Sequence, residues 1–208
     1  MSPITRLLSV PAVLALVAGF GLAASVPASA KLNTKSSATT IVIDQAVVSG
    51  LESQGIVISA KGGATWTSTK GEVRFPVSKV TATAVNHRGT LVFTKGSTVI
   101  EVVEPVILTP EGAAEFIVTA KTALGPNTPL FVLKRLSAAE SCSVQGSGSK
   151  WIKRNTIRLQ SEVSLTSDPS VIGALQVALS PLFTPDLQLG PGRVTLVDDL
   201  NSKTKPKC

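Results

Sequence analysis

The chain has 208 residues, with 20 Lys plus Arg against 13 Asp plus Glu, a formal charge of +7, one His, two Cys and no Tyr. One His cannot build a multi-His metal site, and two Cys cannot build a four-cysteine zinc site or hold an ordinary iron–sulfur cluster. At 43% hydrophobic residues the chain carries too much apolar side chain for simple disorder.

The N-terminus reads as an export signal over residues 1–30. Arg6 supplies a positive start, Leu7 to Ala24 is an almost unbroken apolar run, and Ala28-Ser29-Ala30 is a small-residue cleavage site. The competing reading is a membrane anchor, for which about 20 apolar residues would serve. The cleavage motif and the polar stretch that follows favour removal. No later stretch is long and apolar enough to cross a membrane as a helix. Residues 31–40, polar and rich in Ser and Thr, are expected to form a flexible leader. Residues 41–200 are expected to form a single β-rich domain, and 201–208 a basic C-terminal tail.

Within that domain Ile41 to Ile43 gives a strand signal. Asp44 can cap a short helix bearing Val47, Val48 and Leu51, and Gly55 suits its C-terminal stop. Ile56 to Ile58 resumes a strand. Val73, Phe75 and Val77 alternate, with Pro76 marking an edge or bulge, and Val80, Ala82 and Ala84 alternate after them. Leu91 to Phe93 and Val99 to Val103, joined through Lys95-Gly96-Ser97, read as a hairpin. Phe116 to Ala120 and Leu130 to Leu133 are further strands, separated by turns at 109–112 and 125–127. Residues 137–149, dense in Ser and Gly, read as a loop. Ile157, Leu159, Val163 and Leu165 alternate with Arg158, Gln160, Glu162 and Ser164, a strand with one wet face. Asp168 and Pro169 then start a helix carrying Ile172, Leu175 and Leu179, and 192–197 is a last strand. The fold class is therefore mainly β with some α: an antiparallel sandwich- or barrel-like sheet with two short helices.

Outside the cytoplasm Cys142 and Cys208 can persist as a disulfide; two free thiols or an intermolecular bridge are the alternatives. Catalysis finds little purchase. No G-x-S-x-G elbow exists, and the S-x-x-K match at Ser147 to Lys150 sits in the expected loop rather than opening a helix. A non-catalytic binding or structural protein of the cell envelope, or a secreted one, is expected, with no cofactor and no metal. The basic charge is the remaining lead. Lys150, Lys153 and Arg154 flank Trp151, and Lys203, Lys205 and Lys207 crowd the C-terminus. A Cys142–Cys208 bond would draw the two groups together into an anion-attracting patch. Anionic cell-wall polymer or lipid headgroups fit such a patch, and nucleic acid is not expected for an exported chain. The plainer reading of the same charges is solubility.

Three segments carry a family resemblance: Phe75-Pro76-Val77, His87-Arg88-Gly89-Thr90-Leu91 and Glu104-Pro105-Val106-Ile107. Together they resemble the HtaA-type domain of exported actinobacterial envelope proteins, some of which bind haem. Leu51 to Ile56 is similar to the opening segment of that group, and Leu165-Thr166, Leu175 and 183–195 to its closing segment, so the resemblance spans about residues 40–197. It implies a haem- or small-ligand-binding module as the alternative function. Haem binding in that group relies on a Tyr ligand with a His nearby, and this chain has no Tyr. His87 is then the one candidate axial ligand. Read from its neighbours Arg88 and Gly89, His87 is otherwise a solvated turn residue.

Overall fold

A computed structural model describes residues 31–81, 83–109 and 113–208. The expected export signal, 1–30, and the core of the turn expected at 109–112 lie outside those residues. Among the described residues the chain forms twelve strands and two helices. They run β1 (Lys31–Leu32), β2 (Ala38–Val42), α1 (Gln45–Ser53), β3 (Ile56–Lys61), β4 (Thr65–Thr67), β5 (Glu72–Val80), β6 (Ala84–His87), β7 (Thr90–Lys95), β8 (Thr98–Leu108), β9 (Phe116–Thr122), β10 (Gly125–Ser147), β11 (Lys150–Leu165), α2 (Pro169–Ala178) and β12 (Gln188–Ser202).

The strand order β8-β6-β5-β2-β12-β11-β10-β9 closes because β9 also pairs with β8, giving an eight-stranded antiparallel barrel. Closure requires β8 to change direction. Its first half pairs with β7 and its second half lies between β6 and β9. The bend falls at Glu104, which takes φ +48° where the register between β8 and β9 slips. β3 and β7 continue the sheet beyond the ring.

The period-2 pattern of each strand sends one face inward. Val73, Phe75 and Val77 of β5, Val163 and Leu165 of β11, and Val194 and Leu196 of β12 are all buried in one core. Both helices start as the sequence indicates: the Asp44 carboxylate accepts from the Ala46 amide, and Asp168 from the Ser170 and Val171 amides. Val48 and Leu51 of α1, and Ile172 and Leu175 of α2, join the core. Among the described residues the core keeps a void of about 30 Å³ lined by residues such as Phe75, Phe93, Phe131 and Phe183.

Two expectations are corrected. Residues 31–40 are not a free leader. β1 pairs with β12, Ala38 to Thr40 pair with β12 and β5, and the fully buried Ser37 hydroxyl accepts from the Val197 amide at 2.9 Å. The Ser37 hydroxyl also donates to the Asn33 carbonyl, and the Thr39 hydroxyl bonds the His87 ring. Residues 137–149 are not a loop either. Ser137 to Ser147 pair rung by rung with Lys150 to Gln160, and the turn is only Gly148-Ser149. Weak strand propensity is overridden by a strong partner strand.

These pairings make an arm. β9 leaves β10 at Leu133, and β2 leaves β12 at Thr195, whereas β10, β11 and β12 continue together to the Ser147–Lys150 pair. The arm ends in the hairpin turn. There Gly146 (φ +133°) has no room for a side chain, since an added Cβ would lie 2.1 Å from the Lys150 carbonyl oxygen. From the end of β12 the last residues double back to Cys142, where a disulfide to Cys208 (Cα–Cα 5.7 Å) fastens them. The nominal tail at 201–208 is thus part strand, Asn201-Ser202, and part strap.

The loop closed by that bond spans 66 residues. In the chain-entropy account, opening it costs about 4 kcal/mol of stability. Cys208→Ser should therefore lower the urea midpoint measured without reductant, while leaving the β-type far-ultraviolet spectrum of the barrel in place.

Candidate functional site

His87, the candidate axial ligand for haem, is neither a solvated turn residue nor an available ligand. It ends β6 with its side chain inward, 4% exposed. The Pro105 carbonyl can only accept, so Nδ1–H donates to it at 2.8 Å. Nε2 of the neutral ring then accepts from the Thr39 hydroxyl at 2.7 Å. Phe75 packs edge-on against the imidazole, with centroids 6.5 Å apart. The three segments that resemble the HtaA-type domain thus meet around one buried imidazole. The void beside it holds about 10 Å³, no more than one water. Both ring nitrogens are occupied, so His87 offers no lone pair to a ligand. The alternation of Val85 with His87 inside a strand is the signal for its burial, and the adjacent Arg88-Gly89 masks it.

The basic residues behave differently. Along β11, Trp151, Lys153 and Asn155 share the face that continues inward as Ile157, while Lys150, Ile152 and Arg154 lie on the other. The strap crosses the first face: Lys205 Nζ stands 5.5 Å from the centre of the Trp151 ring, and the Trp151 Nε1–H donates to the Gly148 carbonyl at 2.7 Å. Gln145, Ile152 and Asn201 form one row across the three strands, and Gly146, Trp151 and Ser202 the next. With Lys150 and Lys203 these residues line a cleft of about 680 Å³ at the arm tip. That volume falls within the usual range for small-molecule sites.

The six basic residues singled out in the sequence do not all belong to the patch. Arg154 is committed to Asp199, with Nε to Oδ1 at 2.7 Å and a second bond to Oδ2 at 3.0 Å. Asn33 donates to the same carboxylate. The Arg154 guanidinium, helped by Asn33, holds the Asp199 carboxyl below its ordinary range. Arg154 is therefore the positive half of a cross-strand pair that fastens β11 to β12. Next to it Asp198 is buried with Oδ1 unpartnered, and its pKa is pushed up by burial and then by Asp199. In contrast Lys150, Lys153, Lys203, Lys205 and Lys207 have no carboxylate partner among the described residues. No Asp or Glu occurs in 141–153 or 200–208. The sequence missed Gln145 and Asn201 because their place beside Ile152 follows only from the hairpin register about Gly148-Ser149. Among the described residues no group of His, Cys, Asp and Glu is placed to hold a metal ion.

No family model matches the chain, and no curated protein matches it. Among solved structures it is similar to the haem-binding protein HtaB from Corynebacterium glutamicum, at 12% identity and TM-score 0.49, over 79% of this chain and 94% of that one. It is also similar to the C-terminal domain of HtaA from the same organism, at 15% identity and TM-score 0.47, over 77% of this chain and 96% of that one.

Burial of His87 has a pH consequence. Desolvation lowers its pKa from 6.5 to about 4, against the opposing pull of the Pro105 carbonyl. Between those values the unfolded chain binds the proton and the folded chain does not, so stability is intact above about pH 6.5 and falls as pH drops towards 4. The full shift corresponds to about 3 kcal/mol. In His87→Gln, which cannot titrate, stability measured by urea unfolding between pH 6.5 and 4 should lose this part of its slope.

Proposed function

We propose that this chain is a non-catalytic binding module that works outside the cytoplasm and holds an anionic ligand at the end of its arm. The observation that carries the reading is the set of five lysines along the arm, Lys150 and Lys203 on the cleft wall among them, with no Asp or Glu in 141–153 or 200–208 to neutralise them. Their summed field favours a negative ligand. The exported location is supported by the leader sequence and by the Cys142–Cys208 bond, which suits an oxidising compartment. Anionic polymer of the cell wall or lipid headgroups remain the ligands this reading offers.

The second reading is the haem- or small-ligand-binding module of HtaA type. The observation in its favour is that the resembling segments do form one packed unit, with Phe75 and Pro105 both against His87. The barrel voids of about 30 and 10 Å³ are far too small for haem. Within this structure such a ligand would have to use the arm cleft, its carboxylates towards the lysines.

The first reading predicts retention on an anionic matrix at low salt and release by about 0.5 M salt, where exposed charges are screened. Replacing Lys150, Lys203 and Lys205 with Glu together should abolish retention; unchanged retention in that variant contradicts the reading. Haem titration followed at the Soret band separates the second. A Soret shift lost in the lysine variant and kept in His87→Gln supports haem in the cleft, and one lost in His87→Gln alone would mean that the barrel opens.

A further inference from the structure

We propose that the arm cleft recognises an acidic glycan, a chain of sugar units bearing carboxylate or phosphate groups, and not negative charge alone. This rests on the anion-binding reading of the tip and narrows its ligand. A bare anion needs only the lysines. The cleft offers three further features that such an anion would leave idle.

The first is a pair of free amides. Gln145 and Asn201 flank Ile152 in one cross-strand row, on the same face and exposed, and neither side chain has a hydrogen-bond partner among the described residues. An amide both donates and accepts, which matches sugar hydroxyls that do the same. The second is Ile152. It lies between the two amides on their own face and is 40% exposed, so it presents apolar surface there. Such surface can pack against the apolar C–H face of a pyranose. The third is rigidity. β11 pairs with β10 along the arm and is fastened to β12 by the Arg154–Asp199 pair, and the strap is fastened at Cys208, so the backbone of the cleft is held in place before a ligand arrives. Lys150 and Lys203 on the cleft wall would take the acidic groups, with the amides on neighbouring hydroxyls.

The test uses the disulfide-intact chain and isothermal titration calorimetry at low salt. The probes are a short oligogalacturonate, its uncharged methyl ester, inorganic polyphosphate, a single-stranded oligonucleotide and phosphatidylglycerol vesicles. The oligogalacturonate should bind, and the methyl ester should bind at least tenfold more weakly. Gln145→Ala with Asn201→Ala, both at exposed positions, should weaken the oligogalacturonate about tenfold for two lost hydrogen bonds. The same variant should leave polyphosphate within twofold. If polyphosphate binds as tightly as the oligogalacturonate and the double variant changes neither, the glycan proposal fails while the anion reading stands. Tighter binding of the oligonucleotide or the vesicles also overturns it, in favour of a nucleic acid or a membrane. Failure of every anionic probe to bind fells both.

Discussion

Everything in this molecule hangs on the double register of β11. It pairs with β10 along one edge and with β12 along the other from the barrel wall to the arm tip, with one register irregularity on each side, both at the barrel end. One slip of a single residue would exchange its faces. Val163 and Leu165 would turn out of the core, Arg154 would leave Asp199, and Trp151 would leave the strap. The same strand therefore fixes the inside of the barrel and the chemistry at the end of the arm. The disulfide adds to this by tying Cys208, past the end of β12, to Cys142 on β10, so that the outer two strands of the arm are linked covalently across β11.

Among the described residues the voids in the core are small, about 30 and 10 Å³, and the His87 imidazole is held by Thr39 and Pro105. A buried, fully hydrogen-bonded His of this kind organises three strands, β2, β6 and β8, around one polar group, a role that needs neither a metal nor a substrate. Exposed polar groups lie on the arm, where three strands run past their barrel neighbours and carry lysines and amides into solvent. Trp151 stabilises the tip by pairing across from Gly146 and closing the Gly148 turn, and by meeting Lys205 of the strap.

Much of the fold is legible in the residues. The apolar alternation at 157–165, the capping Asp44 and Asp168 and the Gly96-Ser97 hairpin all specify local structure through short-range chemistry. What cannot be read is set by distant partners. Ser137 to Ser147 becomes a strand because β11 supplies the pairing, and 31–40 is ordered because Ser37 and Asn33 reach β12. His87 reads as exposed because its chain neighbours are Arg and Gly, whereas its spatial neighbours are Phe75, Thr39 and Pro105. Of the basic cluster, the lysines are legible by composition. The loss of Arg154 to Asp199 is not, since the two are 45 positions apart.

Ligand is expected to engage the arm and to leave the barrel interior untouched. Hydrogen–deuterium exchange with and without a saturating anionic ligand measures this directly. Slowed exchange should be confined to 141–153 and 200–208, with β2, β6 and the second half of β8 unchanged. Protection centred on the strands around His87, with the arm unaffected, would contradict it.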